Sequence, residues 1–253
     1  MKTDFVSIAS HQLRTPLTAI NWYVEMLLSG DAGQLTQDQK SYLQEIEVGA
    51  KRMVALVNDL LNVSRIETGR LKIEPVPIDI VAFAKDVIHE LMPWARAKSC
   101  TINLDVSHEP LSTIPIDASL MRQVMDNLLT NAIRYSSPLK ECDITLSLRL
   151  QNEEKINDSS TPSSSLVIAV SDKGIGIPKE VQPRIFEKFF RADNAVTSEA
   201  RGSGLGLYLA KMIVEASGGE IWFESQEGEG TTFYVAIPVE GMHKKEGERG
   251  LIV

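Results

Sequence analysis

The sequence predicts an all-α helical hairpin that pairs into a dimeric four-helix bundle, followed by a mixed α/β domain. Two stretches near the N-terminus, residues 4–29 and 37–67, space their apolar residues alternately three and four apart, the period of a coiled-coil seam. The stiff run Glu74-Pro75-Val76-Pro77 follows, because each proline disfavours helix in the residue before it. Beyond it, short strand-like runs alternate with helix-like ones up to residue 238. With 253 residues, 43% hydrophobic and 24% charged, the chain has the size and composition for two globular domains.

In the first stretch Val6, Leu13, Leu17, Ile20, Val24 and Leu27 form the seam, with Ser10 as its polar member. Gly30-Asp31-Ala32-Gly33 breaks the helix, and Thr36 with Gln39 three residues on reads as a capping box that opens the second. The second seam is Leu43, Ile46, Ala50, Met53, Val57 and Leu60. Two helices cannot cover both seams, and Leu28, Leu56 and Leu61 add apolar surface beside them, so a homodimeric bundle is expected. The alternative is a helical hairpin packed on the rest of the chain. Trp22 and Tyr23 read as bundle packing, and His89, His108 and His243 as ordinary surface or partly packed residues.

One segment breaks the local rules. Ser10-His11-Gln12-Leu13-Arg14-Thr15-Pro16-Leu17 puts a proline inside the first helix, where it clashes with the Gln12 carbonyl at a cost of about 3 kcal/mol. Strain of this kind is concentrated where chemistry happens, which makes His11 the first candidate functional residue. His11 lies off the seam where another molecule can reach it, with Arg14 and Thr15 three and four residues on, hence nearby on the helix surface.

The expected division is residues 1–72, 73–240 and a charged, frayed tail over 241–253. Within the second part the sequence predicts helices at 80–97, 119–135 and 205–216. Strands are expected at 101–106, 142–150, 166–171, 221–224 and 231–238, with a loose polar loop over 152–165. Acidic residues outnumber basic ones by 34 to 26, and the net charge of −8 argues against nucleic acid and against an anionic membrane surface. No apolar run is long enough to span a membrane, and the N-terminus lacks a signal-peptide layout, so a cytoplasmic location is expected. Cys100 and Cys142, without CxxC spacing, indicate neither a zinc site nor a disulfide framework.

Three clusters in the second part point to a phosphate-bearing ligand. Asp172-Lys173-Gly174-Ile175-Gly176 puts a carboxylate at a strand end beside glycines that allow close approach of the backbone, although a plain β-turn reads the same way. Gly202-Ser203-Gly204-Leu205-Gly206 opens a helix, where free N–H groups and the helix dipole favour phosphate. No GxxxxGK[ST] loop occurs, and the polar run before this cluster is no strand, so neither a Walker loop nor a Rossmann fingerprint applies. Asn127 and Asn131 share a helix face with Arg134, and amide oxygens suit a hard cation such as Mg²⁺. Between the glycine clusters, Ile185-Phe186-Glu187-Lys188-Phe189-Phe190-Arg191 reads either as the latch of a hinged lid or as a core fragment.

Taken together these stretches resemble the sensor histidine kinases of two-component systems, in order and over nearly the whole chain. Residues 5–17 are similar to the phosphoacceptor box, 123–136 to the N box, and 172–176, 202–206 and 228–233 to three glycine boxes, with 185–191 similar to the F box. The resemblance implies a Bergerat, or GHKL, ATP-binding domain, an α+β sandwich, behind a dimerisation and phosphotransfer domain. It implies that His11 accepts the γ-phosphoryl group of ATP and hands it to an aspartate on a response-regulator receiver domain. Asp172 would hold the adenine amino group, with Gly174, Gly176 and Tyr135 close to the base and Thr231 supporting Asp172. Asn127 would bind Mg²⁺ beside Asn131. Arg134 stands where lysine is common, Gly202, Gly204, Leu205 and Gly206 of the second glycine box would cover the phosphates, and Phe189 and Arg191 would also belong to the nucleotide site. A longer, membrane-bound parent is compatible with this pattern. An ATP-binding scaffold without phosphohistidine is the second reading. A chaperone-type or DNA-repair-type ATPase is the third, disfavoured by the histidine-bearing hairpin.

Gln12 departs from the pattern, since the family usually carries Glu or Asp after the phosphoacceptor. An amide takes up no proton at neutral pH, so general-base help is lost, whereas neutral imidazole remains a nucleophile. Thr15 matches the position that orients water for dephosphorylation of the partner, so the expectation is a bifunctional protein biased toward its phosphatase half. Gln12→Glu is expected to raise the initial rate of label incorporation from ATP, toward the roughly 10²–10⁴-fold that general bases supply. An unchanged rate would show that Gln12 does not limit the reaction.

Overall fold

The computed structural model describes residues 2–106, 113–137, 140–152, 164–198 and 202–247, with the backbone alone at 2–11, 14, 152, 197 and 198. The chain divides into two compact units, one holding the residues up to Leu71 and the other Lys72–Gly247. In the first unit α1 (Lys2–Ser29) and α2 (Gln37–Glu67) pack side by side. The Thr36 hydroxyl accepts from Gln39 N–H while the Gln39 side chain accepts from Thr36 N–H, so the capping box forms as the sequence predicts. α1 runs unbroken through Pro16. Its seam divides in two: Leu17, Val24 and Ala50 are buried, whereas Leu13, Ile20, Ile46, Met53 and Leu60 stay exposed.

The second unit is a five-stranded sheet in the order β2 (Cys100–Val106), β4 (Cys142–Asn152), β5 (Ser164–Asp172), β7 (Gly230–Pro238), β6 (Glu220–Gln226). Only the β2–β4 pair is parallel. Alternation along the strands builds its core, with β5 buried on both faces at Ile168, Ala169 and Val170. Leu146, Val170 and Phe233 stand in one row across β4, β5 and β7, and Leu148, Ile168 and Val235 in the next, all buried. Helices α3 (Ile80–Ala97), α4 (Ala118–Arg134) and α6 (Gly206–Ala216) add buried faces that include Val87, Leu129 and Leu209. The polar loop expected at 152–165 lies almost wholly outside the described residues.

The run expected to be stiff and extended is extended, and it also pairs: β1 (Val76–Ile78) lies antiparallel to β3 (Ile114–Ile116), with Pro77 facing Pro115 on a two-stranded ribbon. Two expectations are corrected. The tail does not fray at once: Met242 is buried, and Ile73 and Lys245 exchange two backbone hydrogen bonds at 2.8 and 3.0 Å. Cys100 and Cys142 form a disulfide. They open β2 and β4 directly opposite each other with Cα atoms 4.5 Å apart, a pairing that local spacing along the chain does not reveal.

Asp117 joins several of these parts. One carboxylate oxygen accepts from the N–H groups of Ser119 and Leu120 and from the Ser119 hydroxyl, capping α4, while the other accepts from Glu74 N–H at 2.9 Å. Its own N–H donates to the Met242 sulfur. Asp117→Ala is expected to destabilise the second unit by about 2 kcal/mol, the upper range for a lost N-cap, read as a lower urea midpoint. An unchanged midpoint would refute this role.

Candidate functional site

Two backbone junctions frame the site. At the first, β5 ends in Asp172, opposite Thr231 on β7. Asp172 Oδ1 accepts from the N–H groups of Gly174 (2.8 Å) and Thr231 (3.3 Å), and no hydrogen bond from the described residues reaches Oδ2. Burial nevertheless dominates and pushes this carboxyl up to about 6, against the two N–H groups that favour its charged form. The Tyr135 carbonyl, at the C-terminal cap of α4, accepts from Ile175 N–H at 3.1 Å. A Cβ at Gly174 would stand 2.3 Å from that carbonyl oxygen, so only glycine fits there. Gly176 presses equally close on the Gln226 carbonyl.

At the second junction the Gly202–Gly206 cluster meets α4 and the F-box-like segment. Asn127 Oδ1 lies 2.8 Å from where a Gly206 Cβ would be, so the amide oxygen points at the start of α6. Leu205 occupies the N-cap position of α6 and makes no side-chain cap, while its own N–H donates to the Ser203 hydroxyl at 3.2 Å. Phe189 N–H donates to the Gly204 carbonyl at 2.9 Å, and Arg191 covers Gly202 with its guanidinium while Nη2 donates to the Ala195 carbonyl.

The core reading of residues 185–191 is met at one end of the segment and not at the other. Phe186 packs on Phe223 and Phe233, as a core residue does. Phe189 is 63% exposed with φ 60°, in the left-handed region that non-glycine residues rarely adopt, and α5 (Asp193–Ser198) follows it.

Asn127 and Asn131 lie on one face of α4, and Arg134 in its last turn and Tyr135 at its cap are half-buried. Thr231 supports Asp172 through its backbone N–H, while its hydroxyl pairs with the Ser225 hydroxyl. Three supporting residues had no signal in the sequence. Ser225 Oγ accepts from Ile177 N–H, Gln182 Nε2 donates to the carbonyls of Ile177 and Ser225, and Asn194 Nδ2 donates to the Gly176 carbonyl at 3.1 Å. Ser225 comes from a strand, Gln182 from the turn after Ile177 and Asn194 from α5, so no single local pattern marks them.

In the first unit Gln12 and Thr15 are exposed on α1, while the side chains of His11 and Arg14 lie outside the described residues. Among the described residues no group of three His, Cys, Asp or Glu could hold a metal ion. A cation here would rest on the Asn127 oxygen and on oxygens of its own ligand. That donor set fits Mg²⁺, which keeps only a few protein ligands when it binds with phosphate.

A family model for the "Histidine kinase-, DNA gyrase B-, and HSP90-like ATPase" domain matches residues 116–241, and one for the "His Kinase A (phospho-acceptor) domain" matches residues 1–69. With both domains present in this order, the chain belongs to the sensor histidine kinases of two-component systems. Among particular proteins it is similar to the sensor protein kinase WalK of Staphylococcus saprophyticus, 38% identical over 243 residues, covering 94% of this chain and 37% of that protein. It is also similar to the circadian input-output histidine kinase CikA of Synechococcus elongatus, 34% identical over 238 residues, covering 94% of this chain and 30% of that protein. The chain thus spans about a third of the length of these relatives. The crystal structure of full-length ShkA in complex with AMPPNP superposes with a TM-score of 0.73 at 25% identity, over 95% of this chain and 46% of that one. The histidine kinase AdeS of Acinetobacter baumannii shares the fold, with a TM-score of 0.59 at 22% identity over 91% of this chain and 98% of that one.

Because the fold holds a proton on Asp172 more tightly than the unfolded chain does, ionisation of Asp172 weakens the fold as pH rises from about 4 to about 6. Asp172→Asn removes this dependence. Relative to the unmodified chain, the variant should gain up to about 3 kcal/mol between pH 4 and pH 7, read from paired urea titrations. Parallel pH profiles would show that the carboxyl is not held in this way.

Proposed function

We propose that the second unit binds ATP with Mg²⁺, that the γ-phosphoryl group passes to His11 within a homodimer, and that it then moves to an aspartate of a response-regulator receiver domain. The observation that carries the reading is the placement of the unshared Asp172 Oδ2 at one junction and the uncapped start of α6 beside Asn127 at the other. The carboxylate accepts from the adenine amino group, Tyr135 packs near the base, and the N–H groups around Gly202, Gly204 and Gly206 receive the phosphates, beside Leu205, whose N–H donates to the Ser203 hydroxyl. Asn127 would hold Mg²⁺ through its amide oxygen with Asn131 beside it, and the ion would supply neutralising charge at the phosphates. Arg134 and Arg191 add positive charge. That a relative of this fold, ShkA, is found with AMPPNP supports an ATP site here.

In the transfer, the lone pair of a neutral His11 ring nitrogen forms the new N–P bond as the bond to the β–γ bridging oxygen breaks and ADP leaves. Phosphoryl transfer depends mainly on positioning and on charge stabilisation, so the missing acid at Gln12 slows the step without removing its chemistry. Thr15 orients water for the reverse, phosphatase activity toward the regulator. The exposed seam residues Leu13, Ile20, Ile46, Met53 and Leu60 support the homodimer, since a second copy covers them with the same stripe. Among the described residues no helix is long and apolar enough to cross a membrane, and a cytoplasmic position, where ATP is at hand, belongs to the proposal. Gln12 favours the second reading, an ATP-binding scaffold without phosphohistidine.

Incubation with γ-labelled ATP and Mg²⁺ should give acid-labile, base-stable label that is lost in His11→Ala and passes to a receiver domain. Nucleotide binding without label would instead establish the scaffold.

A further inference from the structure

The two cysteines are the only ones in the chain, they lie 42 residues apart in sequence, and the fold joins them. The site lies at a weak point of the sheet. β2 is an edge strand, and its pairing with β4 is parallel, slightly less stable per residue than an antiparallel ladder. It is also next to the first junction of the nucleotide site. The chain leaves α4 at Tyr135, whose carbonyl props the Gly174 segment, and reaches Cys142 seven residues later. On the way Ser136 Oγ lies 4.0 Å from Cys100 Sγ and donates to the Ile133 carbonyl, and Lys140 Nζ donates to the Gly228 carbonyl at 2.7 Å. The end of α4 that props the glycine segment is therefore held on one side by Ile175 N–H and touches the disulfide on the other, through Ser136 and Cys100 Sγ.

We infer that Cys100 and Cys142 are a reversible thiol–disulfide modification site that sets the nucleotide affinity of the second unit. Disulfides in reducing compartments are mostly transient and redox-sensing, which fits a lone pair beside a binding site better than a structural staple does. The two sulfurs differ in access, since Cys100 is buried at 5% exposure and Cys142 is half-buried. The Cys142 thiolate attacks a low-molecular-weight disulfide such as glutathione disulfide, forming a mixed disulfide and releasing one thiolate. The Cys100 thiolate then attacks the Cys142 sulfur and releases the second. Two protein thiols lose two electrons and two protons, and one small disulfide becomes two small thiols. With the bond closed, β4 is tied to the edge strand and the Tyr135 carbonyl keeps its place. With it open, Cys100 no longer holds its place beside Ser136, and the end of α4 props the glycine segment less firmly.

The inference rests on the nucleotide site proposed above, and the test separates the two. The intact chain is poised with glutathione disulfide or with dithiothreitol, its free thiols are counted by alkylation and mass, and the Kd of a fluorescent ATP analogue is measured in each state. The oxidised form is expected to bind roughly fivefold more tightly, the lower end of couplings between two sites. By reciprocity, saturating nucleotide shifts the thiol–disulfide equilibrium toward the disulfide by the same factor. Cys142→Ser should bind like the reduced chain and ignore the redox state, while Cys100→Ser should stop at the mixed disulfide, seen by mass as a glutathione adduct, without the gain in affinity. Equal affinity in both states of the unmodified chain, or two alkylatable thiols after glutathione disulfide, overturns the inference and leaves the nucleotide site standing. No binding in either state overturns both.

Discussion

The hydrogen bond from Ile175 N–H to the Tyr135 carbonyl is the contact on which the rest of the second unit's functional face depends. It brings the end of a helix within backbone distance of the segment that follows a central strand, and it exists only because Gly174 has no side chain. Asp172 is thereby turned inward and buried, so the same contact that shapes the site also raises the energy of its charged group. Ionised, the carboxylate has a hydrogen bond from the described residues on one oxygen only, and the adenine donor proposed above would offset part of the cost of burying its charge.

The opposite junction follows the same rule with different parts. Phe189 sits in a strained backbone conformation because its N–H must meet the Gly204 carbonyl, and its ring is left in solvent. Arg191, two residues on, lies across Gly202. One segment therefore anchors its Phe186 end in the core and spends its other end on the start of α6. An aromatic cluster that reads as uniform in sequence is divided by the fold into a fixed half and a presented half.

Helices and central strands were legible because their periods are long enough to identify. The helix expected at 80–97 is observed as Ile80–Ala97, and the capping box at Thr36 closes as its spacing requires. The glycine clusters were legible by residue type, since few other roles bring so many glycines beside a carboxylate or a helix start. What sequence could not show depends on register. Thr231 meets Asp172 by its backbone, Ser225 reaches its partner only after the strands pair, Asn194 reaches its own from α5, and the two cysteines become neighbours through a crossover. The three-residue strands β1 and β3 carry two prolines and no alternation, and Lys245 is held through its backbone, to which side-chain patterns are blind.

The pairing of Ile73 with Lys245 bears on how such proteins are rebuilt. The second unit takes hold of the chain before the first strand of its small sheet, and it does so with residues close to its own end. A module exchange that joins a foreign helical domain at the proline-rich run would cut through this clasp, leaving the recipient one strand and one cap short. The natural splice lies upstream of Ile73, in the few residues after α2, and a fusion at the other terminus needs to keep the chain through Gly247.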